Sequence, residues 1–188
     1  MGVTSDLQGD AVRLLTDALD WLRATYPEHR IVVERDLVWT LQKWLICEVL
    51  TRDLPLRVFN DYGVEPGPRR SLSGDLVLVA LDSPMPLVVA EFKFEPSHRR
   101  VDIDRKKLPV VGWSGVVEDV ARIRRWVDGG MTREGLAIFV DEGGFAHDRR
   151  TALADCAWSG WGMYGEPTLD VWVHAYWLSR PGLSGPHP

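Results

Sequence analysis

The chain has 188 residues, 45% hydrophobic and 26% charged, with a formal net charge of −5. That length holds one domain with a proper core and is marginal for two, and the composition is that of a soluble globular protein. No apolar run exceeds strand length, so neither a signal peptide nor a membrane span is expected. The acidic balance excludes a protein that coats nucleic acid without specificity.

Ser5 with Gln8, or alternatively Asp10, is expected to open a first helix, and Val12, Leu15, Leu19 and Leu22 recur at helical spacing until Pro27. A second helix is predicted over residues 34–50, with Val38, Leu41, Leu45 and Val49 as its apolar face and Cys47 among its residues. Three strands follow, at 56–64, 75–81 and 87–94. The short Ser83-Pro84-Met85-Pro86 link makes the last two an antiparallel pair. A third helix over 114–128 has Val116, Val120, Ile123 and Val127 on one face, with Glu118 and Asp119 favouring its N-terminus and Gly129-Gly130 ending it. Then come a strand at 135–140, a short helix at 147–157 that contains Cys156, and a last strand at 169–178. One domain over 1–180 and a disordered Pro/Gly-rich tail over 181–188 complete the expectation. Both cysteines read as reduced core or subsurface thiols of a cytoplasmic protein. Trp158 and Trp161 sit in a Gly-rich stretch, where packing under a loop is preferred to an exposed aromatic platform.

Asp75, Glu91 and Lys93 carry the chemistry. They lie in two strands that are otherwise apolar, where a carboxylate is expensive unless something uses it. Alternate strand residues share a face, so Glu91 and Lys93 point the same way, away from Phe92 and Phe94. With Asp75 alongside, two carboxylates and an ammonium form a site for a hard divalent cation, Mg²⁺ with Mn²⁺ able to substitute. A carbonyl near Phe92 is a candidate further ligand. Such an ion polarises a phosphoryl oxygen and lowers the pKa of its water. Lys93 would hold or help deprotonate that water and offset charge on the phosphorane. A third carboxylate is expected from the second helix, where Glu34 and Glu48, fourteen residues apart, return to nearly the same azimuth. Either could instead serve the helix, Glu34 by stabilising its N-terminus and Glu48 by pairing with Arg52. Asp61 is a weaker alternative. After the Lys93 strand, Arg99, Arg100, Arg105, Lys106 and Lys107 supply a basic segment for phosphates.

The pattern Glu34 … Gly74-Asp75 … Glu91-Phe92-Lys93 resembles the PD-(D/E)xK, or restriction-endonuclease-like, nuclease superfamily. Glu34-Arg35-Asp36-Leu37-Val38 is similar to the first helix of archaeal Holliday-junction resolvases. The resemblance implies an α/β fold with an αβββαβ core over about 34–141, a central mixed sheet flanked by helices, an N-terminal helix and a C-terminal helix-strand extension. It implies that Asp75 and Glu91 bind Mg²⁺, that Lys93 is the catalytic lysine, and that Glu34 rather than Glu48 completes the metal site. The expected activity is phosphodiester hydrolysis by an endonuclease, with DNA ahead of RNA as substrate and a homodimer or larger complex as the working form. A non-catalytic nucleic-acid-binding or interaction module, such as a subunit of a larger defence or repair system, is the alternative. In this chain Gly74 takes the place of the family's usual proline, and the Gln/Tyr motif of the RecB-like branch is absent from the third helix.

Overall fold

The computed structural model describes residues 3–65, 72–103, 108–164 and 168–180, with the side chains of 3–6 excepted. Helices α1 (Val3–Thr25) and α2 (Glu34–Thr51) precede strands β1 (Leu56–Gly63), β2 (Ser73–Ala80) and β3 (Pro86–Glu95). Helix α3 (Trp113–Asp128) leads to β4 (Glu134–Glu142), and β5 (Ala157–Tyr164) and β6 (Leu169–Ser179) finish the order. The strands form one six-stranded mixed sheet in the order β1-β2-β3-β4-β6-β5. Strands β1 to β3 are an antiparallel meander, β4 joins β3 in parallel through the α3 crossover, and β6 pairs antiparallel with both β4 and β5. Among the described residues no helix is long and apolar enough to cross a membrane.

Strand alternation sends Leu76, Leu78, Ala90, Phe92, Ile138 and Val140 to one face, where they pack with Leu14, Leu15, Leu41 and Leu45 of α1 and α2. The opposite residues, Val77, Val79, Val89 and Ala137, meet Val120, Ile123 and Trp126 of α3. The sheet is therefore covered on both sides, which is why β2 and β3 read as almost continuous apolar runs.

Several expectations change. Helix α1 begins at Val3, so neither Ser5 nor Asp10 caps it; Gln8 instead donates Nε2 to the carbonyl of Leu87, 3.2 Å away. The helix expected at 147–157 shrinks to a 3-10 turn at His147–Arg149. Asp141 Oδ2 accepts the N–H groups of Ala146 and His147 at 2.8 Å each and closes that turn. The Gly-rich segment that follows is a strand, so the C-terminal extension is a β5–β6 hairpin and not a helix and strand. Its register shifts between Gly160 and Gly162, and Gly162 takes a φ of 126°, open to glycine alone. Trp158 stacks on Trp113 at 6.2 Å while Trp161 packs edge-on against Tyr26 at 6.0 Å, so both tryptophans pack. The cysteines are free, but Cys47 is exposed and Cys156 lies outside any helix. The tail at 181–188 falls outside the described residues.

Helix α3 can approach β4 closely because position 135 has no side chain. A Cβ on Gly135 would stand 2.6 Å from Ile123 Cγ2 and 2.9 Å from Val127 Cγ2, both buried and both β-branched. Gly135→Ala is expected to destabilise the protein by about 1–3 kcal/mol in urea unfolding. Gly63→Ala, which meets nothing within 4 Å, should stay within about 0.5 kcal/mol. Equal effects at the two positions would contradict this packing.

Candidate active site

The β2–β3 ladder ends at the pair Leu76–Ala90, and the next residues, Asp75 and Glu91, stand where the two strands leave their pairing. On the other side of β2, Asp61 lies between the pairs Asn60–Leu76 and Tyr62–Gly74 with a φ of 50°. Aspartate tolerates this left-handed conformation better than most residues. Asp75 uses the interruption: its Oδ2 accepts the N–H of Phe92 at 2.8 Å. Asp75, Glu91 and Lys93 have the parity of Val77 and Val89, so all three face α3.

Helix α3 supplies two residues that the sequence reading did not assign to the site. Asp119 Oδ2 stands 3.0 Å from Lys93 Nζ, and Arg122 Nη1 bonds Glu91 Oε2 at 2.5 Å while lying 3.1 Å from Asp119 Oδ1. Their signal was present in the pattern. Both sit within one turn of the stripe that buries Val116, Val120 and Ile123, where a charged side chain needs a reason.

Helix α2 contributes Glu34, whose Oε2 is 3.2 Å from Lys93 Nζ. Asp36, not Glu34, secures the start of the helix by accepting the N–H groups of Val32 and Val33 at 2.9 and 3.1 Å. Glu34 is thereby left to face the cleft. Glu48 is bonded by Arg52 Nε at 2.8 Å near the far end of the helix and takes no part in the site. The contacts run from Glu34 through Lys93, Asp119 and Arg122 to Glu91. Lys93 also donates to the carbonyl of Phe92 at 2.9 Å. Glu34, Asp61, Asp75, Glu91, Lys93 and Arg122 line one polar cleft, with Arg35 and Trp39 on its α2 side.

Four carboxylates, Glu34, Asp75, Glu91 and Asp119, share this space with two cations, Lys93 and Arg122. Fully ionised, the cluster carries two uncompensated negative charges. Burial pushes Asp75 up to about 6 against the opposing effect of the Phe92 N–H. Burial, reinforced by the charge of Asp75, pushes Glu91 up to about 9 even with Arg122 beside it. Glu34 and Asp119 are raised by burial too, offset in part by Lys93. Burial alone would lower Lys93, yet Asp119 and Glu34 outweigh it and hold the ammonium above its ordinary range.

The donor chemistry fits a hard divalent cation. Glu91 Oε1 is buried without a hydrogen-bond partner, and the surplus charge equals that of one such ion. Among the described residues no three histidine, cysteine, aspartate or glutamate side chains are placed to hold one ion together, and Glu34 is turned to Lys93.

The basic segment behaves differently from a uniform patch. Arg99 is exposed. Arg100 is clasped: it forms a double hydrogen bond with Asp102 at 2.9 and 2.6 Å, bonds the carbonyl of Ile31 and reaches Glu142 at 3.4 Å. Its guanidinium ties the segment after β3 to the stretch before α2 and is committed to structure. Arg105, Lys106 and Lys107 lie outside the described residues. His174 is buried, its Nε2 accepts the N–H of Leu153 at 3.2 Å, and burial lowers its pKa, so it packs as a neutral ring. No family model, no curated protein and no solved structure matches this chain.

The raised carboxylates set a pH dependence. A group with a folded pKa above its unfolded value holds protons in the native state that the unfolded chain releases, so stability is lost as pH rises between the two. For Glu91 that window runs from the ordinary glutamate value of 4.5 to about 9. Unfolding free energy should therefore decline as pH rises across that range, and Glu91→Gln should flatten the decline. An unchanged slope in Glu91→Gln would show that Glu91 is not the group holding the proton.

Proposed function

We propose that this protein is a metal-dependent nuclease of PD-(D/E)xK type that hydrolyses phosphodiester bonds in nucleic acid, with DNA the preferred substrate. The observation that carries the reading is the meeting of Asp75, Glu91 and Lys93 on one face of the sheet, in a cluster with two more carboxylates than cations. The element order from α2 through the β1–β3 meander, α3 and parallel β4 supports the αβββαβ core of the restriction-endonuclease-like fold.

In this reading Asp75 and Glu91 hold Mg²⁺, or Mn²⁺ in its place. When bound, the ion supplies Lewis-acid polarisation of the phosphate and a more acidic water. Arg122 fixes Oε2 of Glu91 and leaves Oε1 free to ligate. Lys93 acts as a cation and hydrogen-bond donor rather than as a base, because Asp119 and Glu34 keep it protonated. Its ammonium offsets charge building on the pentavalent phosphorus, a form of stabilisation strongest in a water-poor cleft. Glu34 and Asp119 are positioning residues that aim the ammonium. Binding of the ion by two raised carboxylates releases protons, so metal affinity rises with pH.

Cleavage of single-stranded, duplex and branched DNA with Mn²⁺ is the direct test. Lys93→Ala and Asp75→Asn should each lower the rate about a hundredfold or more with the fold intact by circular dichroism. Calorimetry should show Mn²⁺ binding that is lost in Asp75→Asn and Glu91→Gln. A wild type that neither cuts these substrates nor binds Mn²⁺ would overturn the enzyme reading and leave a non-catalytic module on the same fold.

A further inference from the structure

Trp39 is 46% exposed, and among the described aromatic residues only Phe145, at 45%, is as open. It follows Arg35 by four residues on α2, so the two share a stripe beside the one that presents Glu34 and Val38. The Arg35 guanidinium carbon lies 5.7 Å from the Trp39 ring centroid, within cation–π range. Both line the same cleft as Asp75, Glu91 and Lys93.

Charge gives the pair its meaning. Lys93 and Arg122 are engaged by Glu34, Asp119 and Glu91, whereas no salt bridge joins Arg35 to a carboxylate among the described residues. The cleft around them is acidic, with Glu34, Asp61, Asp75 and Glu91 at its walls. A polyanion therefore gains little from general electrostatic attraction and must be held by specific contacts. The exposed part of the Trp39 ring, beside a guanidinium that no carboxylate among the described residues engages, provides two: stacking for a base and a fork for the neighbouring phosphate. A base inside a duplex cannot offer its face to Trp39 without leaving the stack.

We propose that Trp39 is a stacking platform for an unpaired base next to the phosphate at Asp75, Glu91 and Lys93, with Arg35 gripping the adjoining backbone, and that the substrate class is single-stranded DNA. This rests on the nuclease reading for the identity of the ligand, and its test is one of binding, separate from cleavage. Fluorescence anisotropy of the full chain in Ca²⁺ would compare a labelled oligothymidylate, an abasic strand of equal length and a blunt duplex. Wild type should favour the oligothymidylate over both others. Trp39→Ala should weaken oligothymidylate binding about five- to a hundredfold while leaving the abasic strand unchanged, and Trp39→Phe should recover part of the loss.

The platform is overturned if Trp39→Ala binds the oligothymidylate as wild type does, if it weakens all three ligands equally, or if wild type binds none of them. Cleavage in Mn²⁺ that persists beside such a result would leave the hydrolase standing without the platform. Base-dependent binding lost in Trp39→Ala, in a protein that never cuts, would support the platform and remove the hydrolase.

Discussion

The organising constraint is electrostatic: four buried or half-buried carboxylates surround two cations in a space closed by α2, β3 and α3. Such a cluster cannot sit fully ionised and unbalanced out of water. It either takes up protons, as the raised pKa values of Asp75 and Glu91 indicate, or accepts a counter-ion. The rest of the molecule is arranged to keep that choice open. Lys93 is clamped between Glu34 and Asp119, Arg122 holds one oxygen of Glu91, and the second oxygen is left without a partner.

The sheet makes this placement possible. Strands β2 and β3 are paired and apolar up to Leu76 and Ala90, and their pairing stops where the carboxylates begin. Asp75 takes over the Phe92 N–H that a continued ladder would have claimed, and Asp61 takes up a left-handed conformation opposite it. Side chains at this break are held by the ordered strands behind them, and Asp75 keeps partial exposure while Glu91 is buried. Helix α2 reaches the break from one side of the sheet and α3 from the other, so the site joins both layers.

Much of this was legible in the sequence because it follows from strong periodicities. The second and third helices and all of the first three strands were expected close to where they lie, and Asp75, Glu91 and Lys93 were singled out because a charge in an apolar strand is costly. Glu34 and Glu48 shared an azimuth, and only the three-dimensional arrangement separates them, since 3.6-residue periodicity says nothing about which end of a helix meets the sheet break. By its apolar positions alone α3 presents Asp119 as a helix-terminus residue, although the side chain is buried against Lys93. The β5 strand was missed because its glycines imitate a loop; its pairing with β6 is a long-range feature that local propensity cannot reveal. Arg100 illustrates the same limit, as a run of basic residues does not disclose which member is tied to a buried glutamate.

The position of Asp119 and Arg122 within a single turn of α3 bears on how such a chain can diverge. Each residue of an α-helix turns the next by 100°. An insertion between Trp113 and Asp119 would swing both side chains off the sheet together and undo the lysine clamp and the glutamate clamp in one event. The crossover from β3 to α3 has no such phase to preserve, although Arg100 within it must keep its hold on Ile31 and Glu142. Variation in length should accumulate ahead of the helix, while the helix itself drifts only by exchange of one residue for another.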